Sequence, residues 1–511
     1  MFIRKVKTAS GATAVQLARR EQGKDVVVKH LGSAHNDVEL ALLLEVAKEK
    51  LLGGQLSLFS ENEELSSSSI ATVGAKSLLL YDTICNLYDQ LGFSSIDSEI
   101  FKQLVVARLI EPTSKLDTIR VLSNLGLRAP SKNQINRLLP QIVAKGYRDI
   151  LSEKCLKFAG KKGLSLLLYD VTTLYFEINE EDEFRKPGLS KERRLEPQIV
   201  IGLLVDRNGF PLTISEFEGK QPETKTIVTT VQAFTKKHRL NNLTVVADAA
   251  MLSSANLTEL EKSKPRIHYI VGSRINKTPY DIELLVLQLI RERKTDEIST
   301  LPDIPDGKII DSRQHFVIDG KKVKRRVVYQ YKVKRAKLDL KNIEKQVEKA
   351  NKVISGKAKL KKVRFLELKG ATKSLNHSLI AESKLRAGWK GYVTDLPKRG
   401  KNPVSPQEVI SYYHQLFQVE KSFRMSKSDL KARPIYHHKL DSIRAHITIV
   451  FAALAIARLI EDRTGISLRK FIHSLGEVRT ATIRINSKTI DAPPVIPPPV
   501  ENLLTHLQRR R

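Results

Sequence analysis

The segment SLLLYDVTTLYFE, residues 165–177, sets one carboxylate, Asp170, inside a run that otherwise reads as a buried strand. A buried ionised carboxylate is costly unless it is paired, hydrogen-bonded or bound to a cation. Either the strand ends at Asp170, or Asp170 is kept there for its chemistry. A second apolar run, LTVVAD, also closes on an acid, Asp248. Between them, PQIVIGLLVD is apolar throughout, and the Asn208-Gly209 pair that follows predicts a hairpin turn into PLTISEFEG. ETKTIVTTVQAFTKKH and SSANLTELEKS carry helical spacing, and RIHYIVGSR reads as one more strand. The order βββαβαβ over residues 164–272 specifies an α/β layer with a mixed sheet.

A chain of 511 residues is too long for one core, and two to four domains are expected. Residues 1–75 open on a basic strand-like stretch. A helix over 37–52 follows, with Asn36 as its cap, and then a Ser-rich linker. Residues 76–160 are helical in pattern. TSKLDTIRVLSNLGLRAPSKNQINRLL within them has the form of a helix-turn-helix around Gly126, the expected DNA-binding part. The α/β layer occupies 161–274, and residues 275–390 interrupt it. There KIIDSRQHFVID and KKVKRRVVYQYKV predict a solvated hairpin around Asp319-Gly320, followed by a charged helix. The layer resumes over 391–470, and 471–511 is a tail whose APPVIPPPV stretch predicts extended chain.

Charge narrows the partner. With 87 Lys+Arg against 56 Asp+Glu, the formal net charge is +31, which suits a polyanion, nucleic acid first and an anionic membrane surface second. From 321 to 370 there are 19 Lys+Arg against 4 Asp+Glu, so this tenth of the chain carries about half the net charge. It is expected to face DNA, through Lys321, Lys322, Lys324, Arg325 and Arg326. Two cysteines, Cys85 and Cys155, exclude a disulfide framework and a Cys-rich zinc site and fit a reducing cytoplasm. No secretory leader is evident at the N-terminus. The longest apolar run, ITIVFAALAIA, is too short to span a bilayer and reads as a buried helix. No Walker phosphate loop is present, so ATP is not implied.

The third acid lies on SPQEVISYYHQLFQVEKSFRMSKSDL. Ser405, Pro406 and Glu408 form a capping box for a long helix. Tyr413, Glu420 and Lys427 are seven apart and share one stripe of an ideal helix, with Leu416 and Arg424 in the same sector. Two strand-end aspartates and a glutamate from a covering helix can converge. Three converging carboxylates need cations to neutralise them, and hard Mg²⁺ or Mn²⁺ suits an all-oxygen site. Two such ions support phosphodiester cleavage and transfer. His437 and His438 read as structural.

The trio LLLYDVTTLYFE, VVADAAMLSSAN and YYHQLFQVEKSFRMSK resembles the DDE transposases of bacterial insertion sequences. Within them it is similar to the insertion sequence four superfamily, in the subgroup with a long β-rich insertion before the glutamate. HLGSAHNDVELALL, ARLIEPTSKLDTIRVL, RRLEPQIVIGLLVDRNGFPL and GYVTDLP carry the same resemblance, which covers most of the chain. It implies a ribonuclease-H-like catalytic domain with Asp170, Asp248 and Glu420 as catalytic residues and metal ligands. Tyr413 and Lys427 would hold backbone phosphates. The resemblance has an arginine where this chain has Leu416, and Arg424 could restore part of that charge. Trp389, the only tryptophan, would receive a flipped base. A homodimer on paired ends, acting on terminal inverted repeats and target DNA, is implied as well. Two other readings stay open: a ribonuclease-H-like nuclease without strand transfer, and an inactive DNA-binding derivative.

Overall fold

The computed structural model describes the chain except for residues 9–10, 22, 53–69, 161–163, 178–181, 183, 187–195, 250–252, 274, 294–303, 319–320, 360–362, 370–371, 401, 486–487 and 509–511. Most of the expected Ser-rich linker, the Asp319-Gly320 turn and the terminal arginines lie outside the described residues. Three strands come first, β1 (Phe2–Lys7), β2 (Thr13–Glu21) and β3 (Lys24–Ala34), then α1 (Asp37–Leu52) and β4 (Ile70–Lys76). Five helices follow: α2 (Leu78–Gln90), α3 (Glu99–Ile110), α4 (Thr118–Asn124), α5 (Lys132–Ala144) and α6 (Tyr147–Ala159). Next are β5 (Leu166–Tyr175), β6 (Gln198–Asp206), β7 (Pro211–Glu218), α7 (Thr226–His238), β8 (Leu243–Ala247), α8 (Ser254–Lys262) and β9 (Ile267–Ser273). The intervening segment holds α9 (Tyr280–Arg293), β10 (Ile309–Ile318), β11 (Lys321–Tyr331), α10 (Val333–Ile354), β12 (Leu366–Lys369), β13 (Thr372–Leu375) and α11 (His377–Leu385). The chain closes with β14 (Trp389–Thr394), α12 (Pro406–His414), α13 (Phe417–Ser428), α14 (Leu440–Thr464), α15 (Leu468–Gly476), β15 (Thr480–Ile485), β16 (Lys488–Ala492) and α16 (Pro498–Gln508).

Two compact units result. The first comprises residues 1–90, 98–135 and 459–511. In it, β1-β2-β3 form an antiparallel sheet over which α1 packs Leu40, Leu43 and Leu44 against Val15 and Leu17. Asn36 caps α1 through its Oδ1, which accepts the Glu39 amide at 2.9 Å, while Glu39 reaches back to the His35 amide at 2.7 Å. A second antiparallel sheet, β16-β15-β4, pairs segments more than 400 residues apart, with Lys76 Nζ 3.4 Å from Asp491. The tail expected to be extended contains α16 instead: Pro498 and Pro499 sit in its first turn, where a missing amide hydrogen costs nothing. Residues expected to form a helix-turn-helix do contain α4, a turn at Gly126 with φ of 80°, and the start of α5.

The second unit, residues 91–97 and 136–458, is built on one eight-stranded sheet in the order β10-β11-β14-β9-β8-β5-β6-β7. β5, β6 and β7 are antiparallel, and β8 and β9 run parallel to β5. Tyr169 on β5 comes within 3.5 Å of Thr230 on α7, and Tyr269 on β9 donates to Glu261 on α8 at 2.6 Å. The register Leu167–Val245–Tyr269 places Tyr169 and Tyr269 on one face, so α7 and α8 cover that face. α12 and α13 cross the strands on the other. α14 supplies a stretch, Ile447 to Ala457, that is apolar except for Thr448 and in which every hydrophobic side chain is buried.

Three expectations change here. Asp170 does not end its strand: β5 runs on to Tyr175, paired with β6 throughout. The segment 275–390 is not a separate β-rich body with a solvated hairpin. Its hairpin β10–β11 joins the main sheet through β14, and α9, α10 and α11 make the rest largely helical. The long helix is two helices. Between α12 and α13 the Gln415 and Leu416 amides bond three residues back, to Tyr412 and Tyr413, in a tighter turn. Such a turn advances about 120° per residue, so the ideal stripe from Tyr413 to Glu420 is not kept.

The Asn208-Gly209 turn does more than reverse the chain. Asp206 accepts the amides of Asn208 and Phe210 at 2.9 and 2.8 Å. Gly209 has φ of 84°, and its carbonyl accepts from Ser422 on α13 at 2.8 Å. A Cβ there would stand 2.7 Å from Arg458 Nη2 and 3.0 Å from the Gln418 carbonyl. Gly209→Ala is therefore expected to destabilise the second unit by about 1–3 kcal/mol, through left-handed strain and displacement of α13. Equilibrium urea unfolding checks it, and an unchanged midpoint would show that the turn does not hold the helix.

Candidate active site

The site begins where β8 stops. β5 and β8 pair only through Leu166–Leu168, the last pair being Leu168 with Val246. Two residues further along each chain stand Asp170 and Asp248, level with one another and on the same face, opposite Tyr169. β8 ends at Ala247, so beside Asp170 the sheet is open on that edge while β6 closes the other. Asp170 is half-buried and Asp248 reaches solvent. An acid in mid-strand is tolerable here because the missing neighbour leaves it a polar outlet.

Two helices deliver the rest. Tyr413, buried in the last turn of α12, donates its hydroxyl to Asp248 Oδ1 at 2.9 Å. Gly272 on β9 makes room for it: a Cβ at that position would lie 2.7 Å from the Tyr413 oxygen. Glu420 is exposed in the first turn of α13, where the helix macrodipole favours negative charge. Lys390 on β14 places its Nζ 4.4 Å from the Tyr413 ring centroid and 5.6 Å from that of Tyr392. Burial lowers the Lys390 pKa and the Arg335 charge lowers it further, while Asp248 and Glu420 oppose them. The Tyr413 phenol is raised by burial first, then by the charge of Asp248 and its hydrogen bond, and to a lesser degree by Tyr392 and Glu420. Asp248 and Glu420 thus act on the same two neighbours.

All three donors are carboxylates, the chemistry a hard divalent ion takes. Among the described residues, no three His, Cys, Asp or Glu side chains approach closely enough to hold an ion by themselves. Asp170 and Asp248 share a level and a face, and Glu420 comes from the helix pair that crosses it. Arg424 is exposed one turn beyond Glu420, and Lys427 is half-buried near the end of α13. Leu416 is buried beside Val419 and offers no phosphate contact.

Two expected DNA contacts are corrected. Arg325 is 4% exposed and binds Glu261 on α8 at 2.9 Å; Arg326 is 7% exposed and grips Asp311 with two nitrogens at 3.0 and 3.1 Å. Alternation along β11 and its place inside the sheet turn both inward to internal acids. Lys321, Lys322 and Lys324, nearer the strand's free end, are exposed. Trp389 is also buried, at 3% exposure. Its ring lies 5.3 Å from that of Tyr331, so it presents no free platform for a base. It lines a cavity of about 560 Å³ together with Asp248, Tyr413, Lys390, Arg335 and Arg386. Lys390 and Gly272 were not legible as site residues: each lies in an ordinary strand, and only the sheet order brings them to Asp248.

The family described as Transposase DDE domain matches residues 161–456. Comparison with curated proteins gives no match. Among solved structures, the cryo-EM structure of the piggyBac transposase synaptic complex with hairpin DNA is similar at 12% identity, over 79% of this chain and 80% of that one, with a TM-score of 0.39.

The Tyr413–Asp248 contact can be read optically. A nearby negative charge disfavours phenolate, so Asp248→Asn should lower the Tyr413 pKa, leaving it raised chiefly by burial. Difference titration of tyrosinate absorbance, with Tyr413→Phe to identify the band, measures this. An unmoved band would mean that the two groups do not interact.

Proposed function

Because the chain belongs to the DDE transposase domain family, we propose that it is a DNA transposase which cuts and joins strands at the ends of a bacterial insertion sequence. The arrangement that carries this reading is the pair Asp170 and Asp248, level on one face where β8 stops, with Glu420 supplied by the helices crossing that face. The strand order β7-β6-β5-β8-β9, three antiparallel and two parallel, supports a ribonuclease-H-like core. The long segment before the glutamate supports the insertion sequence four superfamily. The protein would act in the cytoplasm, as a homodimer on paired terminal inverted repeats.

Asp170, Asp248 and Glu420 would hold Mg²⁺ or Mn²⁺, three carboxylates drawn from three elements. When bound, two such ions supply a nucleophile at neutral pH and stabilise the leaving oxygen. Tyr413 engages one oxygen of Asp248 and so fixes the carboxylate's orientation. Lys390 and Arg335 place positive charge beside the acids, where a DNA phosphate would otherwise be repelled. Arg424 and Lys427 extend that charge along α13, suited to the backbone on either side of the scissile bond. In the first step water adds to phosphorus and the 3′ oxygen leaves as a hydroxyl. In the second, that hydroxyl attacks a further phosphodiester and displaces its 3′ oxygen.

Incubation with terminal-repeat DNA and Mg²⁺ tests the site. Asp170→Asn should reduce strand cleavage by about 10²–10³-fold or more while leaving the circular dichroism spectrum unchanged. Cleavage that survives the substitution would overturn the assignment, and cleavage without joining would favour a nuclease. The exposed lysines give a separate test. Neutralising Lys321, Lys322 and Lys324 should lower the log–log salt slope of DNA binding by about 0.9 per lost contact. Arg325→Gln should leave the slope alone and cost stability of about 1–3 kcal/mol, because Glu261 loses its guanidinium partner. An unchanged slope in the lysine variant would place DNA elsewhere.

A further inference from the structure

Helix α9 has two apolar faces and uses one. Ile282 and Val286 are 0% and 2% exposed, turned into the second unit. On the outside, Tyr280, Leu284 and Leu287 are 68%, 38% and 46% exposed. Their spacing continues to Arg291, also exposed, so positions 280, 284, 287 and 291 form a single ridge along the helix. Scattered exposed leucines need no explanation, but three large apolar side chains in register on one helix make a contact surface.

The charges beside this ridge select its occupant. Asp281 is engaged by the Ser312 hydroxyl, whereas Glu283 is exposed. Glu283 and Arg291 stand four residues before and four after Leu287. If a second α9 lies antiparallel with the two-fold axis at Leu287, Glu283 of each copy meets Arg291 of the other, and the Leu287 side chains meet at the centre. Antiparallel helices also oppose their macrodipoles favourably. A two-fold contact must be self-complementary, and the stretch from Glu283 to Arg291 is: acid at one end, Leu284 and Leu287 between, base at the other. DNA would find little here, since an acid and three apolar side chains line the surface.

We propose that α9 is a docking surface for a second copy of this chain, packed antiparallel about Leu287. The contact is small, on the scale of weak and transient interfaces, so it forms chiefly where two copies are already held close, as on one DNA molecule. It does not depend on the cleavage chemistry, and an inactive protein would show it equally.

Sedimentation of the full chain over a concentration series tests it, without DNA and with a duplex carrying two binding ends. Wild type should self-associate, and Leu284→Asp with Leu287→Asp should abolish this. Glu283→Arg or Arg291→Glu alone sets like charges against each other at two symmetric contacts and should weaken association about tenfold. The double exchange Glu283→Arg with Arg291→Glu should restore it, which neither misfolding nor loss of a different partner would do. Association unaffected by the Asp substitutions would overturn the proposal. So would single exchanges that the double exchange does not rescue, or Asp substitutions that weaken DNA binding and leave the oligomeric state alone.

Discussion

The second unit is organised by the cost of keeping acids at the centre of a sheet. Central strands are buried on both faces, and nothing in an apolar interior compensates a carboxylate. The chain meets this by stopping β8 after five residues. Its parallel neighbour β5 carries on, and the gap becomes a notch into which Asp170 and Asp248 open together. Tyr413 then closes part of the notch with a hydrogen bond, Gly272 yields the space for it, and Lys390 sets a cation against the phenol ring.

Much of this was legible in sequence. Apolar runs marked β5, β6, β8 and β9, and the Asn208-Gly209 pair marked the β6–β7 hairpin, because period and turn chemistry are local properties. The caps at Asn36 and Ser405 were legible for the same reason. What failed was set by distant partners. Whether β5 stops at Asp170 depends on β6, whose apolar residues pair with it beyond that point. The break at Leu416 leaves Leu416 and Val419 both buried, and no residue at 414–417 announces it.

Charge was the least transferable signal. The block 321–370 was read as one cationic surface, and the count was right. Yet β11 is an interior strand for half its length, and Arg325 and Arg326 neutralise Glu261 and Asp311 inside the fold. A run of like charges fixes a net sum; which of its members face solvent depends on strand depth. Trp389 teaches the same lesson for aromatics, since its place at the start of β14 puts it against Tyr331.

The strand order carries a consequence for how such chains can diverge. β10, β11 and β14 extend the same hydrogen-bonded sheet that holds the acids, with β14 paired directly to β9. The inserted segment therefore cannot be swapped in or out as a cassette on flexible joints. Excising it would strip β14 of its neighbour β11 and leave a bare backbone edge one strand away from β9 and Gly272, open to pairing with any other strand. Length can vary freely only in the segments between these strands; the strands themselves are bound into the lineage of the catalytic sheet.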